Sequence, residues 1–435
     1  MERREFLLKS GFAVASGAVV ASCGTNEASP PDTGFDSVEW AEVRKQFQIS
    51  PDYIELSGLF IAAHPQPVRE AIETHRRGLD ENPTLYLQRN YSSGEHGTVS
   101  AAGEYLGARP QDVALTDSTT MGLGLVYNGL KLHDGQEMLT TQEDYYATYE
   151  SLRLASIRTG AQMREIPLFE VIQNVSEDEI VQNIVKEIRP ATRLLALTWV
   201  HSSTGVKLPL RRIADQIAQV NSNRKEEQRV LMSVDGVHGF GVEDVQMSDL
   251  GCDFFIAGCH KWLFGPRGTG IIWSGGSTWE NVIPTIPTFI DDGVRDAWIR
   301  EEEPSGPTTG RRMTPGGFKP FEHQWALAEA FRFHLQLGKS KVAARTHQLA
   351  GRLKEGLNQM SHVTLYTPMN PTLSSGIVCF DVRGMSPRGV VNRLREQNIV
   401  ATVTPYAAPH ARLAPSIRNS IKEIDAALEA IGRMG

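Results

Sequence analysis

The sequence predicts an α/β protein, with a large domain built on a mostly parallel seven-stranded sheet between helices and a smaller α+β C-terminal domain. Three observations carry this. Seven short apolar runs of strand length recur between residues 112 and 273. Helix-like runs interrupt them, and such alternation argues for a parallel sheet covered on both faces. After residue 320 the pattern changes to long helices with few strands.

Taken in order, the strand 112–115 leads into Ser118, Thr119 and Thr120 and then a helical run over 121–130. Residues 137–140 form the next strand, followed by a Tyr-rich helix start over 144–154. The runs 162–166, 194–199, 230–234, 254–257 and 270–273 continue the series. Residues 280–317 are rich in Pro, Gly and charge and mark the crossing out of the large domain. Helices over 321–337 and 341–360, strands over 376–381 and 399–404, and a last helix over 421–433 complete the chain. The expected division is 38–75 as a segment joining the small domain, 76–300 as the large domain and 301–435 as the small one.

The N-terminus reads MERREFLLKSGFAVASGAVVASC. Arg3 and Arg4 before Phe6, Leu7 and Leu8 resemble a twin-arginine export signal. The apolar run 11–21 is too short to span a bilayer. It ends in Val20, Ala21, Ser22 and Cys23, which resembles a lipobox and implies acylation of Cys23. Residues 24–37 are polar and Pro-rich and read as a tether. The expected location is the periplasm or cell envelope, reached through the twin-arginine machinery, with the membrane met only through the lipid anchor. A charge of -7 with mixed signs gives no nucleic-acid footprint. With Cys23 acylated, an odd three cysteines remain, which argues against a disulfide framework, and no CxxC spacing suggests a metal.

Asp235 follows the run Val230, Leu231, Met232, Ser233, Val234, and Lys261 comes shortly after Phe254, Phe255, Ile256, Ala257. A strand-end Asp alone is an ordinary turn residue, and a lone Lys an ordinary surface charge. Presented together from neighbouring strand ends, they suit pyridoxal phosphate. That cofactor needs a lysine amine for its aldehyde and an acid that keeps its ring nitrogen protonated.

The string SVDGVHGFG, ten residues, then CDFFIAGCHKWLFGPRGTG resembles the class V aminotransferase family of fold type I. The matching residues are Asp235, His238, the pair His260 and Lys261, and the Gly-rich loop 265–270. From residue 53 to 425 the chain is most similar to the isopenicillin-N-epimerase-like subgroup. The resemblance implies a phosphate loop at Ser118, Thr119 and Thr120, at a helix start suited to anions. It implies ring stacking by Tyr145 in preference to Tyr146. His201 or Ser202 stands where the family has Asn, and His238 takes a slot beside the ring's O3′. His260 reaches the phosphate, while Gly258 replaces a common Ser. Thr314 matches a Thr that reaches the phosphate of a second subunit, which implies a homodimer. Arg412, followed by Asn419, Glu423 and Asp425, matches an Arg that holds a substrate α-carboxylate.

These roles describe an enzyme acting on a small amino substrate, with Lys261 as general base at the amino-bearing carbon. Transamination and epimerisation are expected, with a C–S or other β-lyase as the alternative and a lipid-anchored binding protein as the rival from another class. Cysteine desulfurase is excluded. Cys379 sits within an apolar strand, and the loop 404–410 carries no cysteine.

Overall fold

The computed structural model describes residues 35–435, so the twin-arginine segment, Cys23 and most of the tether lie outside the described residues. The tether was expected to run to residue 37, but Phe35–Lys45 is a helix. The first strand, β1 (Ile54–Glu55), leads into the helices Gln66–Glu81 and Pro83–Leu106. The main sheet then follows as β2 (Val113–Thr116), β3 (Glu137–Thr141), β4 (Gln162–Ile166), β5 (Thr192–Thr198), β6 (Leu231–Asp235), β7 (Phe254–Gly258) and β8 (Gly270–Ser274). All seven strands expected from sequence are present, with ends shifted by two residues at most.

Their spatial order is β2-β8-β7-β6-β5-β3-β4. Pairing is parallel except around β8, which runs antiparallel to both β7 and β2. The physical reason lies in the connection. Residues 259–269 contain no helix, and without a crossover helix the chain returns antiparallel. Strands β5, β6 and β7 are buried along their whole length. Leu195, Leu197, Met232, Val234, Phe255 and Ala257 feed one core, and their alternates Leu194, Ala196, Leu231, Phe254 and Ile256 feed the other. Burial on both faces is why these strands read as near-continuous apolar runs.

The small domain is an antiparallel sheet of β9 (Val363–Leu365), β10 (Val378–Val382), β12 (Thr402–Val403) and β13 (Ala411–Leu413), ordered β12-β13-β10-β9. The expected strand 399–404 is broken at Ala401. Its first half, β11 (Ile399–Val400), pairs with β1, and its second half joins β13. The helices Lys339–Asn358, Pro387–Arg395 and Ile421–Gly432 cover this sheet.

The boundary expected at 300/301 is corrected. Helix Phe321–Leu337 packs on the helices Gln66–Glu81 and Pro83–Leu106, and its Leu327, Ala328, Ala330 and Phe331 belong to the large-domain core. The small domain begins after Gly338, where the backbone leaves the helix at φ 89°. Buried charge pins the domains together. Glu243 accepts from Lys207 Nζ at 2.9 Å, contacts His347 Nε2 at 2.9 Å and accepts from Ser375 Oγ at 2.5 Å. Burial would raise the Glu243 pKa, but the His347 hydrogen bond and the Lys207 charge overcome it and hold it at about 2.

Gly236, directly after Asp235, packs against the buried Phe255. A Cβ there would lie 2.1 Å from the Phe255 ring. Overpacking of this kind costs about 1–3 kcal/mol. Gly236→Ala is expected to lower unfolding stability by about that amount, measured as a shifted urea midpoint at unchanged m-value.

Candidate active site

The carboxyl ends of β2, β3, β5, β6 and β7 gather at one edge of the sheet, the usual ligand side of such folds. A cavity of about 740 Å³ opens there. Ser118, Thr119, Thr120, Tyr145, Ser202, Asp235, His238, His260, Lys261 and Arg412 all line it.

The anion end is built at the helix Thr119–Gly129. Ser118 is its N-cap, and the Ser118 hydroxyl accepts from Met121 N–H at 3.1 Å. Thr119 Oγ1 accepts from Gly258 N–H at 2.8 Å. In both residues the hydroxyl oxygen is fixed by a donor, which leaves its proton free to donate toward the cavity. Gly258, where a Ser was expected to be missed, has a spatial reason. A Cβ there would lie 3.1 Å from both Thr119 Oγ1 and the His260 ring. Glycine lets the two phosphate-side residues converge.

The floor carries Asp235 and Lys261. One Asp235 oxygen accepts from Val237 N–H at 3.1 Å. Burial raises the Asp235 pKa to about 6, against the Val237 N–H and the Lys261 charge. Lys261 opens onto the cavity but is walled by protein. Its pKa falls to about 8, through burial first and then Arg412, while Asp235 opposes the fall. The turn after Lys261 closes through Phe264 N–H to Lys261 O at 3.1 Å, and Phe264 takes the left-handed φ of 58°. A bulky residue in that region marks backbone strain beside the lysine.

His238 Nδ1 accepts from Trp262 Nε1–H at 3.3 Å. Burial, then Lys261 and Arg412, push its pKa well below the ordinary range. The ring is therefore neutral, with its proton on Nε2, a donor suited to a phenolate oxygen. His260 is lowered to about 4 by burial, Lys261 and Arg267.

Tyr145 lines the cavity and Tyr146 does not. Asp144, which sequence reading passed over, sets this corner. Its carboxylate accepts from Thr140 Oγ1 at 2.6 Å, Thr141 N–H at 2.9 Å and Thr198 N–H at 2.8 Å, tying β3 to β5 just before Tyr145. An Asp directly ahead of a helix start was the available signal. Ser202 lines the cavity, while His201 is wholly buried with both ring nitrogens unpartnered and its pKa lowered to about 4 by burial.

Arg412 arrives from β13 of the small domain. Its Nε donates to Thr402 Oγ1 at 3.0 Å and one terminal nitrogen donates to Ser202 O at 2.7 Å. The outer edge of the guanidinium remains for a carboxylate. Tyr406 is the second missed residue. Its hydroxyl bonds Ser202 Oγ at 2.8 Å, and its ring meets Tyr145 edge-on at 6.3 Å. It stands in the loop 404–410, read from sequence only for the lack of cysteine.

Thr314, expected to reach the phosphate of a second subunit, lies outside the cavity of its own chain. It is buried, donates to Gly310 O at 2.9 Å and accepts from Leu115 N–H at 3.0 Å. These bonds tie the loop before Pro315 to β2. Cys252, Cys259 and Cys379 are buried free thiols, and burial pushes Cys379 up to about 12. None is placed as a nucleophile.

Residues 96–421 match the family model described as aminotransferase class-V. The chain is 25% identical over 409 residues to the isopenicillin N epimerase of Streptomyces clavuligerus, covering 90% of this chain and 98% of that protein. It is 28% identical over 204 residues to a cysteine desulfurase of Cronobacter sakazakii, covering 46% of this chain and 45% of that protein. Among solved structures, a lysine-to-alanine mutant of C-DES with glycine linked to its pyridoxal phosphate superposes with a TM-score of 0.80 at 22% identity, covering 90% of this chain and 99% of that one. The cystine C–S lyase C-DES with cysteine persulfide gives 0.77 at 23% identity, covering 88% and 98%.

Pyridoxal phosphate is the cofactor, and the site fits it. Asp235 and Lys261 feel each other's charge across the cavity without hydrogen bonding to one another. Each is a buried charge that needs a further partner. The free hydroxyl protons of Ser118 and Thr119 and the helix N-terminus meet the needs of a phosphate. When bound, the cofactor supplies an aldehyde carbon that takes up an amine and a protonated ring that withdraws electrons.

Only the neutral amine attacks an aldehyde. Uptake of added pyridoxal phosphate by apoprotein, followed by visible absorbance, is expected to rise with pH through about 8 and then level off, rather than near the ordinary 10.5. Asp235 raises the amine's pKa, so Asp235→Asn is expected to move that midpoint downward. An unmoved midpoint would show that the two groups are not coupled.

Proposed function

This chain belongs to the aminotransferase class-V family, and we propose that it acts at the amino-bearing carbon of an amino acid or an amino-acid-containing compound. The observation that carries the proposal is Lys261, a buried amine with its pKa lowered to about 8, facing the same cavity as Arg412. A carboxylate on the outer edge of Arg412 sets the adjacent carbon over the floor of the cavity. Lys261 removes its proton as general base. Asp235 would hold the cofactor's ring nitrogen protonated, and the His238 Nε2–H would donate to its ring oxygen. Epimerisation would need a second acid to protonate the opposite face while Lys261 keeps the proton it removed. Amino transfer would need only Lys261 on this side, with the amine left to the cofactor and then passed to a keto acid.

The second reading is a β-lyase. It is favoured by the same geometry, because loss of a β-substituent needs only the base and the electron-withdrawing ring. It requires no enzyme thiol, consistent with the three buried cysteines. A binding protein without catalysis is the remaining rival, and the retained Lys261 and Asp235 speak against it.

We further propose that the protein is exported by the twin-arginine route and anchored through Cys23, with folding and cofactor loading completed before export. The order of arginine pair, apolar run and small-residue site over residues 1–23 supports this. We propose a homodimer as well. Phe289, Trp298 and Phe318 are 55%, 77% and 83% exposed and rim an apolar cavity of about 690 Å³ with Tyr91 and Phe321. Large exposed apolar patches of this kind mark interaction sites.

Purified wild type is expected to show visible absorbance from lysine-bound pyridoxal phosphate, and Lys261→Ala to lose it. Colourless wild type that takes up no cofactor would overturn the enzyme reading. Incubation of candidate amino acids in heavy water then separates the reactions. Deuterium at the α-carbon with change of configuration marks epimerisation, keto-acid-dependent amino exchange marks transamination, and ammonia with pyruvate marks the lyase. For the dimer, sedimentation at twice the chain mass is expected, with Trp298→Asp plus Phe318→Asp shifting the protein to monomer.

A further inference from the structure

The small-domain wall of the cavity carries charge that the chemistry described so far does not use. Helix Pro387–Arg395 presents Arg388, Asn392 and Arg395 to the cavity beside β12. Their spacing of four and then three residues puts all three on one helix face, about 10 Å from end to end. Arg393, on another face, pairs with Glu396. Among the described residues, neither Arg388 nor Arg395 has an acid partner. Asp235 is the one carboxylate lining the cavity, against Lys261, Arg388, Arg395 and Arg412.

A dianionic phosphate and one α-carboxylate balance this excess in number, but not at the place where Arg388 and Arg395 stand. The phosphate belongs to the Ser118 and Thr119 end, Asp235 answers the ring nitrogen, and Arg412 holds one carboxylate from a buried position next to Ser202. Arg388 and Arg395 stand farther out, exposed at the mouth. The same cavity carries an apolar edge of Leu59, Phe60 and Ile61, with Phe60 68% exposed. A basic helix face and an apolar edge on one cavity fit an elongated ligand with a carbon chain and a charged far end.

We propose that the substrate carries a second, distal carboxylate or similar oxyanion, and that Arg388 and Arg395 determine the preference for it. The proposal rests on the reading of Arg412 as the α-carboxylate site. The two guanidiniums act in binding and take no part in proton transfer. Because both are solvent-exposed, their contribution is screened by salt.

The test titrates the holoenzyme with matched amino acids, L-glutamate against L-glutamine and DL-2-aminoadipate against DL-norleucine, read as the change in its visible spectrum. The acidic member of each pair is expected to bind roughly tenfold more tightly at low salt, and less so at high salt. Arg388→Gln plus Arg395→Gln is expected to abolish the preference, leaving the affinity for the neutral member unchanged. Equal affinities in wild type, or a preference that survives in the double variant, would overturn the proposal. A colourless holoprotein would overturn the cofactor reading instead. The same pairs are then titrated by tryptophan fluorescence, since Trp262 bonds His238 at the cavity, and the charge preference is decided by that readout alone.

Discussion

The site depends on holding a carboxylate and an amine at the ends of two adjacent buried strands without letting them neutralise each other. Burial raises the Asp235 pKa to about 6 and lowers that of Lys261 to about 8, so both charged forms are disfavoured by the same surroundings. A direct ion pair would relieve both and close the cavity. The fold prevents it by stiffness. β6 and β7 are buried throughout, and Gly236 is wedged on Phe255. The Val237 N–H holds one Asp235 oxygen, and the 259–269 connection carries Lys261 through a strained turn at Phe264. Backbone strain near a reactive lysine is consistent with a position over-determined by its neighbours.

The second requirement is that two domains form one cavity. The floor and the anion end come from the large domain, while Arg412, Arg388 and Arg395 come from the small one. Small rotations between domains would move Arg412 relative to Lys261, and displacements of about an ångström are costly for catalysis. Two polar junctions resist this. Arg412 donates to Ser202 O, with Tyr406 bonding the Ser202 hydroxyl. Away from the cavity, Glu243 joins Lys207 of the large domain to His347 and Ser375 of the small one. Buried pairs of this type give little net stability over apolar packing, but they penalise misalignment, since parting them leaves an uncompensated charge.

What the sequence made legible follows from what repeats along it. The seven strands were readable because burial on both faces forces near-continuous apolar runs, as in Phe254, Phe255, Ile256 and Ala257. Asp235, Lys261 and Ser118 were readable because each sits just past such a run. The helix Pro83–Leu106 was not read, because its mean pattern is weakly amphipathic and it is packed along its length by the helix Phe321–Leu337. That contact also displaced the domain boundary, since a helix distant in sequence completes the large-domain core. Asp144 was passed over because its partners, Thr140, Thr141 and Thr198, lie on two strands that only the fold brings together. Thr314 was read for the phosphate of a second subunit, and within its own chain its hydroxyl is held by Gly310 and Leu115.

The departures from the family pattern fall on particular sides of the cavity. Gly258 stands where the resemblance leads one to expect Ser, and its missing side chain admits Thr119 and His260 to the anion end. Ser202 holds Arg412 through its backbone carbonyl and bonds Tyr406 through its hydroxyl. The loop that carries Tyr406 thereby becomes a structural link between domains, whereas a cysteine there would have been a mobile nucleophile. Burial raises the Tyr406 phenol above its ordinary range, so it stays protonated and serves as a fixed hydrogen-bonding partner. Asp235, His238 and Lys261, the residues suited to the cofactor, stand together on the large-domain floor of the cavity. Arg388, Arg395 and Arg412 come to the same cavity from the small domain, and that separation lets the cofactor side stay fixed while the substrate side varies.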